Sequence, residues 1–356
     1  MNKKKIVLIL ILLLAGSCAT LFTDYDEKLL ENKEFSDSLK VEEIPPPEAA
    51  KAGDVKATSE SPSGDVKQVA KAKSAKSSTA NSVANPTAKL AVKLGPLVPP
   101  EKAAKLLQHQ PEMEDGEGFS GRRPKVDPLV ENEELIYAVS YFAVEGGRFT
   151  MKSHPFVEVN GRKSYRFTFH ARSSSAFSLF YAVDDMAEFF MDYEDLVPYS
   201  YTIKAKESKQ VRDVKSFYNW KTLQAKTWDK KIKKGKGPEE KLYEWQILPY
   251  SQNVFSAVYY MRTFQYAVGK EISMRVGHEG KNIIMKAKIL REEKLSTAVG
   301  TLDTFVIKPE FEIDGVFKPV GDVFMWITND THHRIARIES KIKIGKVVVN
   351  LQKISP

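Results

Sequence analysis

The chain has 356 residues, a formal charge of +8, 42% apolar and 10% aromatic content, enough for one sizeable core or two small ones. Its single cysteine excludes a disulfide framework and a cysteine-built zinc site. Charge is uneven: residues 133–356 hold 35 Lys/Arg against 27 Asp/Glu, either a solvated lysine-rich surface or a face for phosphates or an anionic membrane surface, whereas 19–132 hold 16 against 19.

Asn2-Lys3-Lys4-Lys5 is a positive start, followed by an unbroken apolar run from Ile6 to Leu14 that is too short for a comfortable membrane span. Ala15-Gly16-Ser17-Cys18 then resembles the lipobox cut by lipoprotein signal peptidase, departing from it at Ala15, where Leu is usual. The expectation is a signal peptide over 1–17 and diacylglycerol in thioether linkage on Cys18, with two or three acyl chains as a durable anchor. In lipoproteins of this kind Asp after the cysteine favours the inner membrane, so Ala19 points to the outer membrane and a periplasm-facing domain.

No aromatic residue lies between Phe35 and Phe119, and the composition there is Ala, Lys, Ser, Pro, Glu and Val. Such a stretch cannot bury enough apolar surface to offset its ordering entropy. Residues 18–130 therefore read as the lipidated cysteine and a disordered tether, with short helices open near Tyr25–Leu39 and Glu101–Leu107. As a coil, about 110 residues would span roughly 55–65 Å.

From residue 131 the texture is that of a mostly β domain. Strands are expected over 134–144, 148–159, 163–172, 185–193, 199–206, 211–220, 223–230, 271–276, 282–290, 301–313, 316–327 and 334–351, the last with a bulge at Gly345. Glu145-Gly146-Gly147 and Asn160-Gly161 read as turns, Gly235–Pro238 as a loop. Helices are expected at Ser174–Ala182 and Ser251–Tyr266. The pattern predicts a strongly curved antiparallel sheet or incomplete β-barrel with two helices, preceded by a disordered tether.

Several separated stretches resemble the bacterial domain of unknown function 3108 family. They are Glu134-Leu-Ile-Tyr-Ala-Val-Ser-Tyr141, Ser178-Leu-Phe-Tyr-Ala-Val-Asp-Asp185, Leu196-Val-Pro198, Ser256-Ala-Val-Tyr-Tyr-Met-Arg262, Val299-Gly-Thr-Leu-Asp-Thr-Phe305, Val323-Phe-Met-Trp-Ile-Thr-Asn-Asp330 and Ile342-Lys-Ile-Gly345. Asn253, where the family pattern has Asp, and Ile335, where it has Pro, depart from it. The resemblance implies an exported, mostly β domain and brings no catalytic residues.

Of the six histidines only His332 and His333 are close in sequence, and neighbours on a strand face opposite ways, so no metal site is expected. Gly-x-Ser-x-Gly, P-loop and dinucleotide motifs are absent, and nothing calls for a cofactor. Asp184, Asp185 and Glu188 read as turn and surface carboxylates. Basic faces such as Lys204/Lys206 would suit RNA, but an exported chain does not meet it, so no nucleic-acid partner is expected. What remains is apolar excess: 134–144 and 316–327 carry apolar residues on both parities, either covered by a helix or lining a cavity. The expectation is a non-enzymatic, membrane-anchored envelope lipoprotein binding an apolar or amphipathic ligand, or an envelope protein. Phe177, Phe180, Tyr181, Tyr260 and Trp326 are the candidate ligand contacts. Two rivals stay open: an enzyme modifying envelope glycans or lipids, and a purely structural tether.

Overall fold

A computed structural model describes residues 21–45, 93–94, 123–313, 316–319, 322–341 and 345–356. The signal peptide, Cys18 and most of the expected tether lie outside this range. So does Pro45–Lys89, a separate unit, apart from its first residue.

The strands are β1 (Val41–Glu43), β2 (Lys93–Leu94), β3 (Glu134–Tyr141), β4 (Val144–Ser153), β5 (Val157–Val159), β6 (Arg162–Ser173), β7 (Val183–Asp192), β8 (Pro198–Glu207) and β9 (Gln210–Asn219). They continue as β10 (Gln224–Lys233), β11 (Pro238–Gln246), β12 (Glu271–His278), β13 (Lys281–Thr297), β14 (Gly300–Ile313), β15 (Val316–Pro319), β16 (Asp322–Thr328), β17 (Ile335–Lys341) and β18 (Lys346–Ser355). From one edge the main ladder runs β12-β13-β14-β16-β17-β18-β3-β4-β6-β7-β8-β9-β10-β11, every pair antiparallel. β5 shares an edge of β6 with β4, β15 shares an edge of β14 with β16, and β2 adds to β11 in parallel.

Among the described residues no ladder joins β11 to β12, so the sheet is open. It nevertheless curls until its two edges are bridged by the segment between them. Gln252 N–H donates to Arg275 O at 2.8 Å, Gly277 N–H to Gln252 O at 2.8 Å, and Asn282 Nδ2 to Gln246 O at 2.9 Å. The expected curved, incompletely closed sheet is what the chain forms.

Period-2 alternation drives the curl. Tyr137, Phe167, Phe169, Phe189, Tyr201 and Tyr218 all face inward and are buried, each contributing about 1.5–3 kcal/mol of burial. The short helix α3 (Ser256–Tyr260), extended by a 3₁₀ turn Met261–Thr263, plugs one end. There Tyr259 stacks on Phe167 with centroids 3.8 Å apart. Arg262, 1% exposed, closes that end with an ion pair to Glu133: Nη1 lies 2.6 Å from Oε2. Arg334 Nε lies 2.6 Å from the other oxygen, and Arg262 also donates to His332 O and Pro128 O. Burial opposes charge on Glu133, but the two guanidiniums hold its carboxyl below the usual range. Losing either partner would strand a buried charge, the costly way to break such a pair.

Several boundaries differ from expectation. The β3–β4 turn is Phe142-Ala143, with φ of 48° and 63°, and Glu145–Gly147 lies inside β4. Gly345 occupies the β17–β18 turn at φ 80° rather than a bulge. Pro155 separates β4 from β5, β11 after the Gly235–Pro238 loop is too charged to have read as a strand, and both helices are one turn or little more.

The tether also differs. Residues 21–45, expected to belong to the disordered tether with a short helix open near Tyr25–Leu39, do form short helical turns there and pack on the outer wall of β9, β10 and β5. Phe22 joins Val211 and Ile232, and Phe35 in α1 (Lys33–Ser38) meets Trp228 edge-on at 6.1 Å. Lys215 Nζ donates to Leu30 O at 2.9 Å, and β1 pairs with β5. These two aromatics find an apolar stripe on the outer face, which composition alone cannot reveal. The domain likewise begins before 131, since Leu129 is buried in the core and the Arg123 guanidinium binds Asp127, Tyr193 O and Tyr165 Oη.

Candidate functional site

At the end opposite the Arg262–Glu133 pair, the sheet interior is not filled. A cavity of about 160 Å³ opens there to the surface. Its wall is built from inward positions of neighbouring strands: Val139 of β3, Phe149 of β4, Phe169 of β6, Ile203 of β8, and Val347 and Val349 of β18. Phe255, just before α3, forms the floor, and Phe177 of the short helix α2 (Ser175–Ser178) lies at the rim. Gly147 makes the wall possible, since a Cβ there would come within 2.4 Å of Arg172 O on β6. Apolar cavities of about 150 Å³ stay dry and take up benzene-sized molecules.

Asp185 is the inward-facing acid of this wall. The alternation of β7 places Asp184 and Glu188 on the outside, where Asp184 meets His170 at 2.5 Å and Glu188 meets Arg166 at 2.8 Å. Asp185 Oδ1 accepts one bond, from Lys206 N–H at 3.1 Å. Burial, then the nearby Glu207 carboxylate, push its pKa up to about 8 despite that bond. That favours its protonated form at neutral pH, and the charges on the wall are those of Arg148 and Arg172 at the mouth. Glu207 itself accepts from Tyr181 Oη and, at 2.8 Å, from Gln210 Nε2. Deeper in, Arg212 is committed: it binds Asp229 through two bonds of 2.7 and 2.9 Å and Glu279 at 3.0 Å. His278 beside it is buried, and burial lowers its pKa, so it stays neutral.

Of the five aromatic residues expected to meet a ligand, only Phe177 lines the cavity. Phe180 projects from the rim, 65% exposed. Tyr181 turns to Glu207, and Tyr260 is buried in the core beside Phe264. Trp326 lies in a separate cluster with Leu295, Val306 and Ala336, its Nε1 donating to Glu293 at 3.0 Å. The apolar residues on both faces of β16 are thus explained by this outer cluster, which Lys308 and Arg337 partly cover over Phe324 and Trp326. Sequence reasoning missed Asp185, Phe255 and the β18 valines. The period-2 pattern of β7 was enough to separate Asp185 from Asp184, but the strand's start had to be known first. Among the described residues no group of three or more His, Cys, Asp or Glu could hold a metal, and no helix is long and apolar enough to cross a membrane.

Residues 136–352 match the family described as protein of unknown function (DUF3108). The chain belongs to that family. No curated protein matches it. Among solved structures, it is similar to a β-barrel-like protein of domain of unknown function DUF1849 from Brucella abortus, at 11% identity and TM-score 0.40, covering 64% of this chain and 98% of that one. A protein of Parabacteroides distasonis provisionally described as a lipoprotein matches at 8% identity and TM-score 0.29, covering 64% and 97%. An exported protein of Bacteroides fragilis, so described provisionally and assigned a YmcC-like fold, matches at 7% identity and TM-score 0.30, covering 65% and 99%. These superpositions are too loose to carry any residue or role to this DUF3108 chain.

Proposed function

We propose that this DUF3108 protein is a lipoprotein of the bacterial envelope, anchored by lipid on Cys18 in the outer membrane and facing the periplasm. Its open barrel accepts one acyl chain, or the apolar part of a similar amphiphile, and does so without catalysing a reaction. The mostly apolar cavity at the open end supports this reading: aliphatic and aromatic side chains make up most of its wall, burial favours the protonated form of its one inward acid, and it opens outward so that a longer chain can extend past Arg148 and Arg172 at the rim. The enzymatic rival would gain from free polar groups converging inside the barrel. Arg212, Asp229 and Glu279 converge there but are spent on one another. The purely structural tether would gain from a solidly packed interior, and only the end plugged by α3 is packed that way.

The test is binding of cis-parinaric acid to a chain lacking residues 1–17 and carrying Cys18→Ser, alone and with Ala171→Phe. Ala171 faces the cavity, so the added ring should fill it and weaken binding about tenfold, roughly 1.4 kcal/mol. Equal affinity in both proteins would rule out this cavity as the acyl site.

A further inference from the structure

Four large apolar side chains stand exposed around the open end: Phe142 (59%), Val144 (69%), Leu179 (69%) and Phe180 (65%). They sit on two adjacent turns. Phe142 and Val144 belong to the β3–β4 hairpin, while Leu179 and Phe180 follow α2 in the β6–β7 connection. The turns are joined by Ser174 N–H donating to Gly146 O at 2.8 Å, and Phe177 packs against Gly146. The first turn is costly to build. Phe142 and Ala143 both take positive φ, a pairing that two-residue hairpins normally fill with Asn-Gly. Gly345, at φ 80°, leaves room for the Phe142 ring, which a Cβ would approach to 2.6 Å. A bulky aromatic held in strained backbone at an exposed tip points to a use for that tip.

The chain's own N-terminal side arrives at the same end. Phe22 N–H donates to Glu207 O at 3.0 Å, at the end of β8, and the Glu207 carboxylate binds Tyr181, the residue after Phe180. Cys18 is four residues before Phe22, which limits its reach to about 14 Å. The rim adds little charge to oppose a lipid surface, because Arg148 pairs with Glu145 at 3.8 Å and Arg172 with Asp184 at 3.6 Å.

We propose that the open end of the barrel docks on the phospholipid bilayer that holds the chain's own anchor, with Phe142, Val144, Leu179 and Phe180 dipping into the interface and the cavity mouth facing the lipid. The docking rests on the proposed lipidation of Cys18 and is independent of what fills the cavity. It fits side chains that are apolar and separate at loop tips, a shape suited to insertion among headgroups more than to a flat protein interface.

The mature lipidated chain has its only native thiol consumed by lipid, so an introduced cysteine can be labelled alone. Val144→Cys and Leu179→Cys at the mouth, and Val126→Cys near the opposite end, would each carry an environment-sensitive fluorophore. Each protein is reconstituted in vesicles of phosphatidylethanolamine and phosphatidylglycerol, with flotation measured on the same samples. The expected result is co-flotation of all three, with blue-shifted emission quenched by brominated lipid at 144 and 179 and water-like emission at 126. Adding Leu179→Asp and Phe180→Asp should return the label at 144 to water-like emission without loss of flotation. Flotation with water-like emission at all three positions overturns the docking, leaving the anchor intact and the apolar rim for a protein partner. Equal shifts at all three overturn its orientation. Failure to float overturns the lipidation of Cys18, and the docking with it.

Discussion

Among the side chains facing the cavity, Asp185 is the one whose charge depends on conditions within easy reach. Burial and the neighbouring Glu207 and Asp184 carboxylates raise its pKa to about 8, while the Lys206 N–H and Arg212 work in the opposite direction. A carboxyl with a raised folded-state pKa keeps its proton after the unfolded chain has released it. Between about pH 4 and 8 the native state therefore binds more protons, and stability falls as pH rises. Asp185 is only partly shielded from solvent, so the loss should be well under the full linkage value, on the order of 1–2 kcal/mol. Asp185→Asn should flatten that stretch of the stability–pH curve in urea titrations. The same substitution should remove a fall in fatty-acid affinity above about pH 8, where the ionised wall repels a carboxylate. An unchanged curve in the variant would mean that Asp185 is solvated and ionised at neutral pH.

At the scale of elements, the cavity exists because β4 and β6 lie close at Gly147, with Gly147 opposite Ser173. Gly147→Ala would push its Cβ against the Arg172 carbonyl, a backbone atom that cannot swing aside. The expected cost is about 1–3 kcal/mol in thermal or chemical unfolding, with slower protection lost first for the amides of β4 and β6 in hydrogen exchange. A neutral substitution would show that the two strands separate readily. Such pairing was legible in the sequence where alternation was clean: Tyr165, Phe167 and Phe169 fixed the inward face of β6, and Asn160-Gly161 its preceding turn, both residues taking positive φ. It was not legible where one strand ended and the next began. Ile342 to Leu351 changed parity at Gly345, which fits a bulge and a hairpin turn equally well until the partner strand is seen. The Phe142-Ala143 turn carries none of the usual turn residues, and β11 is so rich in Glu and Lys that only its pairing with β10 reveals it. The candidate site was legible only in kind. Of the two stretches with apolar excess, 134–144 contributes Val139 and Tyr141 to the cavity, but Trp326 satisfied the same criterion by packing outside the sheet. A parity count cannot say which of two buried faces is the concave one.

For the whole molecule, the largest change concerns distance. A tether from 18 to 130 would let the domain wander tens of ångströms from its membrane. Instead residues 21–45 bind the outer face of the sheet, and Phe22 N–H is held by Glu207 O at the end of β8. Phe22, the apolar rim and the cavity opening lie toward one end, where the proposed anchor on Cys18 would also fall, while Arg262, Glu133 and Arg334 seal the other. Composition predicted disorder from the stretch without aromatics after Phe35, and the few apolar residues before it, Phe22, Tyr25, Leu30 and Phe35, could not make a core of their own. They suffice when β9 and β10 offer Val211, Trp228 and Ile232 on the outer face. The proposed docking and the proposed acyl site together would let a ligand pass directly from the lipid surface, without crossing water. The most direct measurement is native mass spectrometry of the full mature protein purified from its own envelope in mild detergent, beside the Ala171→Phe variant. The expected result is a non-covalent acyl-bearing species at one copy per chain in the natural protein, in addition to the proposed covalent lipid on Cys18, and its loss in the variant. A natural protein carrying no such species, or a variant carrying it undiminished, would contradict it.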